Sequence, residues 1–97
     1  MRLRYTTDAL AHLEAIYTYL FERNPAAARR IAADIHAAAQ RICLFPYMGR
    51  KGDAPGTHEW VVQGTPYLFV YEVDEVLEEI IILAIFHGAQ DRQRGPR

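Results

Sequence analysis

Two blocks of apolar residues, each recurring every three or four positions, meet at one Asn24-Pro25 dipeptide. This junction constrains the chain more than any other feature. Leu10, Leu13, Ile16, Tyr17, Leu20 and Phe21 make one face of a first helix, which Thr6, Thr7 and Asp8 can cap. Asn24 precedes proline and so disfavours the helical region, while Pro25 suits the first turn of a new helix. Ala28, Ile31, Ile35, Ala38, Ala39 and Ile42 continue the same periodicity to about Leu44. So short a connection predicts antiparallel neighbours, a helical hairpin.

After Pro46 the pattern changes. Gly49, Gly52, Pro55 and Gly56 break regular structure, so 46–57 reads as a loop. Strand-like runs follow over 59–62, 67–73 and about 76–87. Gln63-Gly64-Thr65-Pro66 and Asp74-Glu75 form the turns between them. Leu3 and Tyr5, alternating with Arg2 and Arg4, suggest a short opening strand. The order β-α-α-β-β-β predicts an α+β domain of two layers, the hairpin on one face of a mainly antiparallel sheet. The second face has no element left to cover it. Tyr67, Phe69, Tyr71, Ile81, Leu83 and Ile85 lie in the sheet, so part of that face is expected to be apolar, which often marks a partner site.

With 97 residues, a single domain spanning 1–97 is the default, with 93–97 a frayed tail. The longest apolar run, Ile80 to Phe86, is far too short to span a bilayer, and Arg2 and Arg4 precede no signal-type apolar region. One cysteine, Cys43, excludes an internal disulfide. A cytoplasmic setting away from membranes fits these features. The net charge of −1 is unlike that of a free-standing nucleic-acid binder. Glu72, Asp74, Glu75, Glu78 and Glu79 crowd one stretch without a basic residue, which reads as a solvated turn. Arg50 and Lys51, and Arg92, Arg94 and Arg97, concentrate positive charge elsewhere.

Few residues carry obvious chemistry. His87 ends the last predicted strand and has the right range for a general acid or base, but a hydrogen bond to a loop is the commoner role. His58 and Glu59 are adjacent and so point to opposite faces of a strand. His12 and His36 read as surface residues on helices. No histidine pair has metal spacing, so neither a metal nor another cofactor is expected. Cys43 has no activating neighbour in sequence and reads as a small buried hydrophobe. Gly49-Arg50-Lys51-Gly52 is too short for a P-loop, yet two cations on a glycine loop can grip phosphate. A solvated loop is the equal alternative. Trp60, Tyr67, Phe69 and Tyr71 form an aromatic stripe, suited to core packing and, alternatively, to base stacking.

Taken in order, several short pieces resemble the ParE branch of the RelE/ParE toxin superfamily along nearly the whole chain. They are Ala9-Leu10 with Leu13, Asn24-Pro25-Ala26-Ala27-Ala28, Phe45-Pro46 with Gly49-Arg50, and Gly56-Thr57-His58-Glu59. Gly64-Thr65-Pro66-Tyr67 before Tyr71, and His87-Gly88-Ala89-Gln90-Asp91-Arg92, complete the set. The resemblance implies the toxin of a type II toxin–antitoxin pair, forming a hetero-oligomer with an antitoxin that wraps it. It implies DNA gyrase as the target for a ParE-like member, without enzymatic activity. For a RelE-like member it implies ribosome-dependent cleavage of messenger RNA. His87, Arg50 and Arg92 would then be the catalytic candidates. The wider set of residues that would contact a target or phosphate is Arg50, Lys51, His58, Glu59, His87, Gln90 and Arg92. A member that only binds its antitoxin is the third reading. Two departures favour the first. His58 stands where the family often has arginine. Leu68 stands before Phe69-Val70-Tyr71, where nuclease members tend to carry arginine, and leucine cannot stabilise a phosphorane charge.

Overall fold

The computed structural model describes residues 1–88. Strand β1 (Arg2–Tyr5) leads into helix α1 (Thr7–Arg23), then α2 (Pro25–Leu44). Strands β2 (Arg50–Lys51), β3 (Thr57–Val61), β4 (Tyr67–Asp74) and β5 (Glu79–His87) follow. The five strands form one sheet in the order β1-β5-β4-β3-β2. β1 lies parallel to β5, and every other pair is antiparallel. The expected α+β architecture of a helical hairpin on a mainly antiparallel sheet is therefore present. Its frayed end, 93–97, lies outside the described residues. Among those described, no helix is long and apolar enough to cross a membrane.

Local chemistry explains the hairpin. The Thr6 hydroxyl accepts from the Ala9 N–H at 3.1 Å and caps α1. Asn24 serves both helices: its N–H donates to the Leu20 carbonyl, and its side chain accepts from the Ala27 N–H at 3.1 Å. The predicted face of α2 is buried at every position named from sequence. On α1 the buried face is narrower. Leu13, Ile16, Tyr17 and Leu20 pack against the core, but Leu10 and Phe21 stand about half exposed. α1 contacts α2, β5 and β1, and α2 contacts β1 and β5.

Three expectations about the strands need correction. The loop 46–57 contains a short strand, β2, whose residues pair with Glu59 and His58. The last strand begins at Glu79, not Val76, because residues 75–78 form the turn. There the Asp74 carboxylate accepts from the Leu77 N–H at 3.0 Å, and Glu78 adopts a φ of +55°. The third correction concerns the faces. Tyr67, Phe69, Tyr71 and Ile85 belong to the helix-packed core, with Val62, Ile80 and Ile82. Leu68, Val70, Ile81 and Ala84 alternate to the other face, and Leu68, Ile81 and Ala84 are nonetheless buried. That face is thus apolar in part, as expected, but through Leu68, Val70, Ile81 and Ala84, and Leu68, Ile81 and Ala84 are little exposed. Leu83 has no partner on β4: the register moves from Val70↔Ala84 to Tyr71↔Ile82, a bulge that changes the alternation.

β5 runs past the end of β1, which would leave its outer edge unpaired. Side chains from the start of α1 cover it. The Thr6 hydroxyl donates to the Leu83 carbonyl at 3.0 Å, and the Ile85 N–H donates to His12 Nδ1 at 3.2 Å. His12 is thus an inset edge cap and not the surface residue expected, whereas His36 is exposed as expected.

The Glu78 conformation supports a direct test. Left-handed backbone costs a non-glycine residue roughly 1–2 kcal/mol, and glycine adds about 0.5–1 kcal/mol of unfolded-state entropy. Glu78→Gly is therefore expected to raise stability by about 0.5–1 kcal/mol. Chemical denaturation measures it, and a lower midpoint would contradict it.

Candidate functional site

The candidate residues from sequence fall into two groups that the fold keeps apart. Arg50, Lys51, His58 and Glu59 gather where β2 meets β3. Here β2 approaches closely because of Gly49. A Cβ at that position would lie 2.6 Å from the Tyr71 hydroxyl and 2.7 Å from the Glu59 carbonyl oxygen. Gly49 N–H donates to the Tyr71 hydroxyl at 3.1 Å, and that hydroxyl donates to the Pro46 carbonyl at 2.8 Å. Tyr71 thereby fixes the loop that follows α2 onto the centre of the sheet.

His58 is half-buried between two tyrosines. It stacks on Tyr71, with ring centroids 5.4 Å apart, and meets the edge of Tyr47 at 5.6 Å. The Tyr47 hydroxyl donates to Glu75 at 2.6 Å. That hydrogen bond to Glu75 raises the Tyr47 pKa, with desolvation adding to it. The Tyr71 pKa is raised by burial, against the opposing pull of the Gly49 N–H. Both phenols are therefore held protonated and committed to fixed acceptors. Glu59 is almost fully buried, and its carboxylate takes Arg50 Nη2 at 3.2 Å. Arg50 is accordingly tethered, whereas Lys51 is exposed and makes no ion pair among the described residues.

His87 lies elsewhere. It pairs with Tyr67 across β4–β5, and its ring meets the Tyr67 ring edge-on at 5.7 Å. His58 pairs with Tyr71, so the two histidines are offset by four residues along β4 and sit on either side of it. That offset alone is about 13 Å. Gln90 and Arg92 lie outside the described residues. Leu68 is buried on the opposite face. Trp60, Tyr67, Phe69 and Tyr71 are spent on core packing, as the commoner use of such a stripe implies.

Two further candidates resolve simply. Burial pushes the Cys43 thiol above its ordinary pKa, although the chain's terminal ammonium acts the other way. A thiol so placed is a poor nucleophile. No group of histidine, cysteine and carboxylate side chains able to hold a metal occurs among the described residues. Tyr47 and Gly49 were not singled out as a unit from sequence. The signal was present only as Gly49 in a loop and Tyr71 in a strand, and neither names its partner.

Comparison with known proteins identifies the architecture. The family described as "ParE toxin of type II toxin-antitoxin system, parDE" matches residues 3–92. A putative toxin, Y4kP, from Sinorhizobium fredii is 34% identical over 89 residues, covering 92% of this chain and 90% of the relative. Toxin RelE2 from Caulobacter vibrioides is 35% identical over 86 residues, covering 89% and 93% respectively. Among solved structures, the chromosomal ParDE toxin–antitoxin system of P. aeruginosa contains a chain of the same fold. The TM-score is 0.77 at 27% identity, over 90% of this chain and 95% of that one. With the hairpin, the sheet order and the full-length match in hand, the chain belongs to the ParE toxin family of type II toxin–antitoxin systems.

Proposed function

We propose that this toxin inhibits DNA gyrase by binding it, without cleaving RNA, and that a cognate antitoxin neutralises it. The observation that carries this reading is the separation of His87 from the Arg50, Lys51, His58 and Glu59 group. A phosphate-cleaving site needs an acid or base and a cation around one reacting phosphate. Here Arg50 is paired with Glu59, and His58 is packed between two tyrosines. His87 lies at the other end of β4. Leu68 takes the strand position where a cation would serve. The family match, and the solved relative from a ParDE system, support the antitoxin as partner, while gyrase is the target that the resemblance to ParE implies. The Caulobacter relative bears a RelE name, which keeps messenger-RNA cleavage as the reading to test against.

The experiment pairs a supercoiling assay on purified gyrase with mapping of messenger-RNA cleavage after induction. Loss of supercoiling without cleavage is expected. In the same assays, His87→Ala is expected to keep growth arrest. A general acid or base is worth ~10²–10⁴-fold, whereas truncating one interface side chain outside a hot spot costs less than about 2 kcal/mol. Ribosome-dependent cleavage that disappears with His87→Ala would replace gyrase inhibition by the nuclease reading.

A further inference from the structure

One end of the molecule gathers exposed apolar side chains from three separate stretches of sequence. Met1 comes from the N-terminus, Leu44, Phe45 and Tyr47 from the exit of α2, and Val76 and Leu77 from the β4–β5 turn. Val76 is 92% exposed and Leu44 73%. Hydrogen bonds tie the stretches together. The Met1 ammonium donates to the Cys43 carbonyl at 3.1 Å, and Arg2 Nη2 donates to the Leu77 carbonyl at 3.1 Å. Tyr47 reaches Glu75 in the turn itself.

The turn is held in one shape. The Asp74 side chain accepts from the Leu77 N–H, and the Arg2 N–H donates to the Glu78 carbonyl at 2.9 Å. Glu78 keeps its left-handed backbone where glycine or asparagine would be at ease. A hairpin tip needs only polar, turn-forming residues to close. This one instead presents a valine and a leucine on a fixed frame, and strained backbone of this kind clusters at binding sites.

Charge selects the occupant. Arg2 and Arg4 both reach Glu79. The Met1 ammonium is already on a carbonyl, and Arg41 lies in the last turn of α2. Glu72, Asp74, Glu75 and Glu78 have no ion pair among the described residues. A surface so rimmed repels phosphate backbones and anionic membranes and attracts cationic protein.

We propose that this end docks a basic amphipathic segment of a partner protein. Its apolar side chains cover Phe45, Tyr47 and Val76, and its flanking lysines or arginines meet Asp74, Glu75 and Glu78. The inference goes beyond gyrase inhibition and stands whichever target the toxin has, because its test needs the isolated chain alone.

The probe is a synthetic helix-forming peptide with a Leu/Phe stripe flanked by Lys and Arg. A copy with Glu at every cationic position is the control. Amide shifts at 44–47 and 75–78 are expected with the basic peptide, which should bind about tenfold more tightly than the acidic one. The Phe45→Ser/Val76→Ser variant should lose about tenfold in affinity, the size of one well-covered apolar anchor. Glu75→Gln/Glu78→Gln should weaken binding and flatten its salt dependence. Both variants alter exposed or half-exposed side chains, and an unchanged melt will show them folded. Absence of shifts at these residues, or equal binding of the two peptides, overturns the proposal. So does a chain that sediments as a dimer and becomes monomeric in Phe45→Ser/Val76→Ser, since the occupant is then a second copy.

Discussion

Tyr71→Ala is expected to lower stability by about 3–5 kcal/mol, the usual cost of removing a large buried aromatic side chain. The ring is fully buried at the centre of β4, and its hydroxyl joins Gly49 to Pro46. For a domain of this size the melting temperature should fall by about 20 °C. Tyr71→Phe separates the two contributions. It keeps the ring but strands the Gly49 N–H and the Pro46 carbonyl, at a cost of about 1–3 kcal/mol. Alkaline pH gives an independent check. Burial raises the pKa of Tyr71, and likewise of Tyr5 and Tyr17, in the folded state. An unfolded chain releases these protons near pH 10, while the folded chain still holds them. Stability is thus fully present below about pH 10 and is lost as pH rises through the folded-state values. Tyr71→Phe should lose it less steeply. A midpoint for Tyr71→Ala within a degree or two of wild type would mean that the α2–β2 loop does not depend on this anchor.

The second large effect concerns the proposed antitoxin. A partner that binds only the folded toxin stabilises it by about 4 kcal/mol when its concentration is a thousandfold above Kd. The melting temperature of the co-purified pair should therefore exceed that of the toxin alone by at least about 15 °C. The sheet offers less bare apolar surface for this than its strand count implies. Leu68, Ile81 and Ala84 are already buried. Binding should accordingly draw on the half-exposed residues of α1, Leu10 and Phe21 among them, as well as on the sheet. Equal melting of the toxin alone and of the toxin co-purified with its antitoxin would remove the antitoxin from the proposed function.

The parts of the fold legible in the sequence were those set by neighbours in the chain. Asn24-Pro25 announces a stop, a cap and a start within two residues, and α2 has the limits its periodicity implies. The parts that were not legible depend on distant residues. Val76 and Leu77 look like strand, because a β-branched residue beside leucine usually is. Asp74, with Arg2 from the far end of the chain, holds them in a turn. β2 is two residues long and exists only through its pairing with β3. The faces of β4 were hidden because Tyr67 to Tyr71 is apolar at every position, which leaves alternation without a sign. On β5 the bulge at Leu83 then reverses the count. The same holds for the site: Arg50, His58 and Glu59 were named from sequence, but pairing and stacking, not residue type, decide what they are free to do.

The pairing of β1 with β5 has a consequence for how the protein comes into being. Arg2–Tyr5 find their partners at Glu79–Ile82, and β5 is also the neighbour of β4. A ribosome that has made everything up to Glu78 has made both helices and four strands, but not the strand that joins β1 to the rest. Contacts so far apart in sequence form late and close the longest loop in the chain. A chain that stops before β5 therefore lacks the strand that joins β1 to the rest of the sheet. A partner that recognises the finished sheet first meets it after translation has passed β5, so synthesis itself delays the appearance of the active molecule.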